Sequence, residues 1–479
     1  MKQELMQRYR PTIGIECHVQ LATTTKLFSG ADNDARDRHP NTTVSPICFG
    51  LPGVLPVLNE QAIELAIKAG LALNADVPEL SRFERKHYFY PDLPKGYQIT
   101  QLAEPVIVGG NVNAEMLDGA TLSVRIHHAH LEEDAGKLTH PTGQARSLVD
   151  LNRAGTPLIE IVSEPDMHSP AEARAYVTEL YRLMTFAGVT RGDLYHGNMR
   201  FDVNISLADH DATTLGTRAE IKNLNSFRAV ERAAEYEWGR QAELLAAGKT
   251  IVQETRGWNE DAGRTFSQRS KSDAHDYRYF PDPDIPPVRI SRQTIERVRQ
   301  TMPHLPDEYR RLLQPLGLDR AVITTLLSDR RIADIVLAVL GASEASDAKR
   351  VALWYVGAGD EVTMPLVGDI ASRLLELSHM TKAGELSSTA AKAVFAELAR
   401  SDESARGIAQ RLDLLQLNDE AAVIEVVEAV LNDPASAKAL ADITSGNDKA
   451  IGYLVGQVMK QSRGKADPAI ATRLLKERI

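Results

Sequence analysis

The sequence predicts an α+β protein in which a mixed, largely antiparallel β-sheet comes first and an all-α helical domain and an all-α tail follow. Proline distribution is one observation behind this prediction, because twenty of the 23 prolines lie at or before Pro315. Up to that point, short alternating segments are broken by Gly, Pro and Asn, which is typical of strands and loops. After it, apolar residues recur at three- and four-residue spacing, as in Ile332, Ile335, Val336 and Val339, which is the period of an amphipathic helix.

Chain length and two stretches rich in proline or polar residues predict the domains. At 479 residues the chain is too long for one compact core. A proline-rich stretch at 281–287 and a polar stretch at 401–404 mark two boundaries. We therefore expect a sheet domain over 1–290, a helical linker domain over 291–403 and a helical tail over 404–479.

Composition excludes several classes of protein. Hydrophobic residues make up 43% of the chain and charged residues 25%, the ordinary mixture of a globular protein. Two cysteines are too few for a disulfide scaffold. Neither a signal peptide nor an apolar run of about 20 residues is visible, so we expect a cytoplasmic protein without membrane contact. The net charge of −10 means that nucleic acid can bind only at a local basic patch.

Four segments alternate strictly between apolar and polar residues, which predicts antiparallel strands with one buried and one open face. They are residues 13–21, 157–164, 200–207 and 217–222. Their polar positions include Glu16, His18 and Gln20, then Glu160, then Arg200, Asp202, Asn204 and Ser206, and finally Arg218, Glu220 and Lys222. For any one strand, a solvated surface explains such a face. As a set, the faces favour a cradle on which polar side chains converge.

The acidic residues have the composition of a site for a hard cation. Glu16 and His18 lie two apart on one strand face and can reach one ion, and Glu160 stands among apolar neighbours. Glu132 and Glu133 supply further carboxylates. Carboxylates with one imidazole suit Mg²⁺ or Mn²⁺, whereas a structural zinc site needs thiolates. A hydrogen-bonded strand histidine is the alternative interpretation of His18.

Standard nucleotide-binding loops are absent from the sequence. Residues 243–250 come nearest to a phosphate loop, but Glu243 stands where the first glycine must be. ATP use would therefore depend on a metal and on basic side chains such as Arg200, Arg218 and Lys222. Cys17 lies on the apolar face of its strand, so we expect a core residue and not a nucleophile.

Two aromatic and proline-rich segments, 86–97 and 275–285, resemble each other. Rings beside Lys and Arg in stiff loops suit stacking on a base or ribose. Two packed loops that close the core are the alternative interpretation. Farther along, residues 449–479 carry seven basic and two acidic residues, which is consistent with a phosphate-binding patch or with a solvated helical face.

Seven distinctive sequence motifs are spread along the chain. They are Ile13–Gln20 (IGIECHVQ), Gly50–Asn59 (GLPGVLPVLN), His130–Lys137 (HLEEDAGK), Asn152–Asp166 (NRAGTPLIEIVSEPD), Glu220–Phe227 (EIKNLNSF), Ser272–Pro281 (SDAHDYRYFP) and Gly456–Lys460 (GQVMK). This set resembles the GatB family, the B subunits of aspartyl/glutamyl-tRNA amidotransferases.

The resemblance implies an ATP-dependent transamidation. The B subunit would bind misacylated Glu-tRNA(Gln) or Asp-tRNA(Asn) and phosphorylate its side-chain carboxylate. Ammonia that the A subunit releases from glutamine would then displace phosphate, with the small C subunit completing the heterotrimer. A helical tail similar to YqeY proteins would contact the tRNA body.

Residue by residue, the resemblance implies Mg²⁺ ligation by Glu16, His18, Glu160 and one of Glu132 or Glu133. Together with the strand faces and the aromatic segments, it leads us to two further assignments. Catalysis is assigned to Arg200, Asp202, Asn204 and Lys222, and ATP binding to Arg218, Glu220, Tyr88, Tyr90, Tyr277, Arg278 and Tyr279.

The sequence departs from the family pattern in two places. Some members have a four-cysteine zinc site around residues 28–48, of which only Cys48 remains here, so zinc is not expected. Asn198 and Phe201 stand where Ser and Cys are usual. The alternatives are a tRNA-binding and assembly subunit without catalysis, and an unrelated Mg²⁺-dependent nuclease or phosphatase. Clustered acids beside a polyanion argue against the first, and the ordered motifs argue against the second.

Overall fold

A computed structural model describes residues 2–270, 276–358, 369–416, 420–445, 447–462 and 464–479. Residues 272–275, which open the sixth motif and include the first residue of the second aromatic segment, lie outside these ranges, as does Arg463 of the basic tail. The chain forms two compact units, residues 1–306 and 307–479. The predicted domain boundaries after residues 290 and 403 stay predictions.

Within the first unit, the described residues form a nine-stranded sheet and several short strand pairs. The strands are β1 Tyr9–Gln20, β2 Leu80–Ser81, β3 Glu84–His87, β4 Tyr97–Thr100, β5 Ile107–Val108, β6 Asn111–Glu115, β7 Thr121–Glu133, β8 Lys137–Thr139, β9 Leu148–Asp150, β10 Pro157–Ser163, β11 Met199–Asp209, β12 Ala219–Leu224, β13 Glu254–Asn259, β14 Arg264–Ser270, β15 Phe280–Pro281 and β16 Val288–Arg289. The helices are α1 Lys2–Gln7, α2 Glu60–Ala72, α3 Pro170–Phe186, α4 Phe227–Ala246 and α5 Arg292–Arg299.

The large sheet has the strand order β14-β13-β12-β11-β1-β10-β7-β5, and β6 pairs with β7. Only β12 and β13 pair in parallel; the other pairs of the sheet are antiparallel. This confirms the predicted class, and all four alternating segments are strands. The sheet is mainly antiparallel because its strands alternate between apolar and polar positions, and only one of its faces is buried in the apolar core.

The apolar face of the sheet forms the core of the first unit. Ile13, Ile15, Cys17 and Val19 of β1 are fully buried, and apolar residues of α2, α3 and α4 belong to the same cluster. Cys17 is thus the core residue that alternation predicts. The three helices begin at side-chain caps, from Asn59, Ser169 and Ser226 respectively, which satisfy backbone N–H groups of the first turn.

The second unit is helical where it is described. Its helices are α6 Pro306–Leu313, α7 Arg320–Leu326, α8 Arg330–Ala342, α9 Ala345–Ala358, α10 Ile370–Lys382, α11 Ser388–Leu398, α12 Ala405–Arg411, α13 Glu420–Leu431, α14 Ala437–Thr444, α15 Ile451–Gln461 and α16 Pro468–Arg478, with 3₁₀ turns at Gln314–Leu316, Pro434–Ser436 and Asp448–Ala450. Ile335, Val336 and Val339 are buried, as their spacing predicts. No helix in the described ranges has the length and apolar character to cross a membrane.

Candidate active site

Strand β1 lies at the centre of the polar face because it pairs with β10 on one side and β11 on the other. His18 stands opposite Glu160 of β10 and opposite Arg200 of β11. Glu16 stands opposite Asp202 of β11. Opposed residues of paired strands share a face, so this register brings together side chains that are more than 140 residues apart in sequence.

Three of the predicted metal ligands form one group, which we call the histidine cluster: His18, Glu132 and Glu160. The His18 Nε2 atom lies 3.5 Å from Glu132 Oε1 and 3.5 Å from Glu160 Oε2. Burial opposes the charge on His18, but the hydrogen bond and charge of Glu160 outweigh it and raise the pKa of His18 to about 9. Against the same burial, donation from His130 and His18 holds the pKa of Glu160 well below its usual value.

His130 of β7 supports this cluster and was missing from the predicted site. Its Nε2 atom lies 3.0 Å from Glu160 Oε2, while its buried Nδ1 has no hydrogen-bond partner among the described residues. Burial opposes a charge on the ring, but the hydrogen bonds with Glu132 and Glu160 raise the pKa of His130 to about 10, and its Nε2–H orients Glu160. The signal was present in the sequence, because His130 and Glu132 are two apart on one strand.

Glu16, Asp202 and Glu220 form a second group on the same face, the acidic cluster. Lys222 Nζ lies 3.1 Å from Asp202 Oδ2 and 2.7 Å from Glu220 Oε1. Asn204 Nδ2 donates to Glu16 Oε1 at 3.0 Å. The predicted ligand set is therefore divided, because Glu16 joins Asp202 and Glu220 and not His18.

Charge balance in the acidic cluster is incomplete. Burial, together with the carboxylates of Glu160 and Glu220, raises the pKa of Glu16. Burial opposes the charge on Lys222, but Asp202 and Glu220 raise its pKa. Three carboxylates thus face one ammonium group, an arrangement that favours a further cation.

A register shift in the pairing of β11 with β12 shapes this cluster. The shift falls between Phe201 and Val203, and Asn223 takes a left-handed conformation with φ of 62°, which Asn tolerates better than most residues. Its backbone N–H donates to Asp202 Oδ1 at 2.9 Å. Phe201 itself is fully buried, so the unusual residue beside Asp202 packs in the core and leaves the polar face unchanged.

A cavity of about 410 Å³, which we call the Arg218 cavity, opens beside the acidic cluster. It is lined by Glu16, Asn204, Ser206, Arg218 and Gln253, among others. Its size lies in the range of small-molecule sites. Of the residues predicted to bind ATP, only Arg218 lines it; Glu220 lies in the neighbouring acidic cluster.

The predicted aromatic residues lie elsewhere on the cradle. Tyr88 packs edge-on against Tyr90 and Tyr277, and Tyr277 packs against Tyr279. The two aromatic segments meet because β15 pairs with β3. Lys86 Nζ lies 5.0 Å from the Tyr277 ring centroid.

Lys86 connects these rings electrostatically to the histidine cluster. Burial opposes its charge, but Glu132, Tyr279 and Glu160 raise its pKa. Arg278 is paired with Asp276 on the exposed side of the segment. The rings thus pack against one another, and a lysine between them faces the carboxylates; their assignment to ATP binding stays a prediction.

Two remaining predicted residues are held by ion pairs. Glu133 forms a close ion pair with Lys95 and accepts a hydrogen bond from the Ile99 backbone, so it is separate from its neighbour Glu132. Arg200 Nη2 lies 3.0 Å from Asp134 Oδ2. Cys48 Sγ lies 3.3 Å from Ser45 Oγ and 3.5 Å from the buried Lys26 Nζ.

Each cluster fits a divalent cation. Within each, one ligand atom from every residue lies within 4.8 Å of the others, close enough for a single ion to contact all three. Carboxylate oxygens with at most one imidazole are the donor set that Mg²⁺ or Mn²⁺ prefers.

Comparison with known proteins gives the class of this molecule. The family model described as the GatB/GatE catalytic domain matches residues 11–296, and the one described as the GatB domain matches residues 361–479. The chain belongs to the GatB family.

Individual relatives match over almost the whole chain. The B subunit of the aspartyl/glutamyl-tRNA(Asn/Gln) amidotransferase of Persephonella marina is 45% identical, over 98% of this chain and 99% of its own. The corresponding B subunits from Herpetosiphon aurantiacus and Moorella thermoacetica are 42% and 43% identical, each over 98% of this chain and over 99% and 100% of their own.

Proposed function

We propose that the chain uses ATP to phosphorylate the side-chain carboxylate of Glu-tRNA(Gln), Asp-tRNA(Asn) or both, and that ammonia then displaces the phosphate. Family membership and the names of the relatives make it a B subunit of a tRNA-dependent amidotransferase, a ligase of protein biosynthesis. The observation that best supports the chemistry is the pair of carboxylate clusters on one sheet face.

Mg²⁺ fits the chemistry as well as the donor set. The histidine cluster would hold one ion through His18, Glu132 and Glu160, and the acidic cluster offers a second set of ligands. A bound Mg²⁺ offsets the negative charge of phosphate oxygens and orients them. His130, which donates to Glu160, keeps that carboxylate in place.

Basic side chains supply the fixed positive charge that phosphoryl transfer needs. Arg218 lines the Arg218 cavity, where we place the nucleotide. Lys222 bridges Asp202 and Glu220 and can exchange one of these contacts for a phosphate oxygen. Arg200 and Lys86 flank the histidine cluster, where we place the acceptor carboxylate.

The proposed reaction needs partners. The chain carries no visible amidase nucleophile, so we propose that an A subunit produces the ammonia and that a small C subunit completes the assembly. Because aminoacyl-tRNA is made and used in the cytoplasm, we propose that location too.

The test uses the assembled heterotrimer with misacylated tRNA, ATP and either glutamine or ammonium chloride. Wild-type enzyme should form amidated tRNA and ADP with both nitrogen donors. Asp202→Asn should lose both products, because it removes a carboxylate of the acidic cluster and a contact of Lys222. Asp209→Asn, at the exposed end of the same strand, is the matched control.

Two results would contradict the proposal. If Asp202→Asn kept wild-type ADP formation, the acidic cluster would have no part in the chemistry. If the wild-type complex bound tRNA but consumed no ATP, the chain would be a binding and assembly subunit.

A further inference from the structure

We propose that a cavity at the end of β1 binds the phosphate backbone of the single-stranded 3′ end of tRNA, and that Tyr195 stacks on one of its bases. The inference rests on the proposed function, because it assigns the place where that substrate enters. The cavity has a volume of about 160 Å³, and its lining includes Gln20, Arg36, Arg153, Arg191 and His196. We call it the arginine cavity.

Its position on the polar face matches the direction in which a substrate must approach. Gln20 lines the cavity and shares a strand face with His18 and Glu16. Strands rise about 3.3 Å per residue, so Gln20 lies about 7 Å from His18 along the strand. Glu16, on the far side of His18, lines the Arg218 cavity. The histidine cluster therefore lies between two cavities, each with arginine in its wall.

The lining of the arginine cavity includes three arginines and one carboxylate, that of Asp34. Arg36 donates to both carboxylate oxygens of Asp34, at 2.8 and 2.6 Å, and Arg191 Nη1 donates to Asp34 Oδ2 at 2.7 Å. One carboxylate thus orients two guanidinium groups. Arg153 Nη2 donates to the Gly136 carbonyl at 2.8 Å, and its Nε lies 3.3 Å from Asp134 Oδ2, a carboxylate that Arg200 shares.

These guanidinium groups are suited to bind phosphate. Between 40% and 45% of each side chain is exposed. A guanidinium has five N–H donors in a planar fork, more than the contacts to Asp34 use. Groups oriented before the ligand arrives lose less conformational entropy on binding.

An exposed aromatic side chain stands at the cavity. Tyr195 is 91% exposed, although aromatic rings normally gain stability from burial. Its ring packs edge-on against His196 of the cavity wall, with 5.1 Å between centroids, and His196 Nδ1 lies 2.7 Å from Asp193 Oδ2. A basic cavity beside an exposed ring is a combination that binds single strands, since phosphates contact the positive charges and bases stack on the ring.

Replacing Asp34 tests two interpretations, which predict opposite changes in tRNA affinity. If the arginines serve phosphate, Asp34 competes with the ligand, and Asp34→Asn should tighten tRNA binding. If the arginines serve only to hold their loops in place, Asp34→Asn and Arg191→Ala remove the same contact and should change tRNA affinity in the same direction.

The experiment measures direct binding of misacylated tRNA to the heterotrimer at several salt concentrations, together with steady-state kinetics. Arg191→Ala and Tyr195→Ala should each raise the Kd and the KM for tRNA about tenfold, the effect expected of one phosphate contact or one stacked base. Arg191→Ala should also lower the salt slope, by less than the value of about 0.7 for an unpaired contact because Asp34 already pairs this side chain. Tyr195→Ala should leave the slope unchanged. Neither should change kcat at saturating tRNA or the KM for ATP. Arg297→Ala, on the exposed surface of α5, is the control.

Each outcome bears on the proposal. Weaker tRNA binding by Asp34→Asn would show that the arginines only hold their loops in place and do not bind phosphate. If Arg191→Ala raised the KM for ATP and left the Kd for tRNA unchanged, the cavity would instead bind the phosphates of ATP. Normal tRNA binding by Tyr195→Ala, which changes a ring that is 91% exposed, would refute stacking. An inactive wild-type complex whose tRNA binding still responded to these changes would refute the proposed function and leave this site standing.

Discussion

Replacing Glu160 by Gln tests the histidine cluster by a readout that needs no substrate. The substitution keeps the shape of the side chain and removes its charge, which faces His130 Nε2 at 3.0 Å and His18 Nε2 at 3.5 Å. In metal-free protein, with a chelator present, His18⁺ would then keep only Glu132 as its carboxylate partner within the cluster. The folded state should lose stability at neutral pH.

The size of this loss follows from the pKa of His18. Its rise from 6.5 to about 9 stabilises the folded state at pH 7.5 by about 2 kcal/mol, at 1.36 kcal/mol per pKa unit. Glu160 supplies the largest favourable contributions to that rise, and Glu132 and Asp202 supply the rest. Glu160 raises the pKa of His130 as well, and the following figure counts His18 alone. The expected cost of Glu160→Gln is therefore about 1 to 2 kcal/mol, on the order of 3 °C in Tm.

The pH dependence has a defined sign. A pKa raised in the folded state gives stability that is fully present below pH 6.5 and is lost as the pH rises through about 9. The difference in Tm between wild type and Glu160→Gln should therefore shrink between pH 7.5 and pH 10. Calorimetry across this range, with Glu164→Gln as the control from the same segment, measures it. A difference in Tm that stays constant to pH 10, or is absent at pH 7.5, would refute the reasoning.

Three further predictions concern function in the heterotrimer. Glu16→Gln and His18→Ala should each abolish ATP-dependent amidation, because each removes a proposed metal ligand, while glutamine hydrolysis continues; near-normal amidation by both would contradict the metal assignment. The isolated chain should release no ammonia from glutamine, and activity in a coupled ammonia assay would overturn this. Deleting residues 404–479 should raise the KM for tRNA and reduce its salt dependence without lowering kcat, because the basic residues of 449–479 are expected only to bind tRNA. Collapse of kcat at saturating tRNA would show that the tail takes part in the chemistry.

Ion pairs within the second unit reduce the change in salt dependence that deletion of the tail should cause. Lys465 forms a close ion pair with Asp413, and Arg473 Nη1 lies 2.9 Å from Glu477 Oε1. A cation already paired in the free protein releases fewer counterions when it exchanges that partner for phosphate. The slope change should therefore be smaller than the number of basic residues suggests.

Sequence alone predicted which residues share a strand face but not which strands meet. Alternation placed Glu16 and His18 on one face of β1 correctly. It left Glu132 and Glu133 as alternatives, because only the pairing of β7 with β10 shows that Glu132 shares the face of Glu160. The separation of Glu16 from His18 into two clusters likewise depends on Asp202 and Glu220, which other strands supply.

The predicted ATP site was the least accessible to sequence reasoning. The prediction grouped Arg218 with the tyrosines because their side chains suit ATP binding. In the structure, the pairing of β3 with β15 brings the tyrosines together, whereas Arg218 lines a separate cavity. His130 could have been found, since it alternates with Glu132. The arginine cavity could not, because Arg36, Arg153 and Arg191 come from three loops.

The central place of β1 has a consequence for biosynthesis. This strand is complete at Gln20, but its partners are β10 and β11, and the second ends at Asp209. At 5–20 residues per second, the edge of β1 that pairs with β10 waits roughly 7 to 30 s, and the edge that pairs with β11 waits roughly 10 to 40 s. During that interval Ile13, Ile15 and Val19 cannot be buried as they are in the finished core. Nascent chains shorter than about 210 residues should therefore depend on ribosome-associated chaperones, and slow codons between β1 and β11 should lower the yield of folded protein.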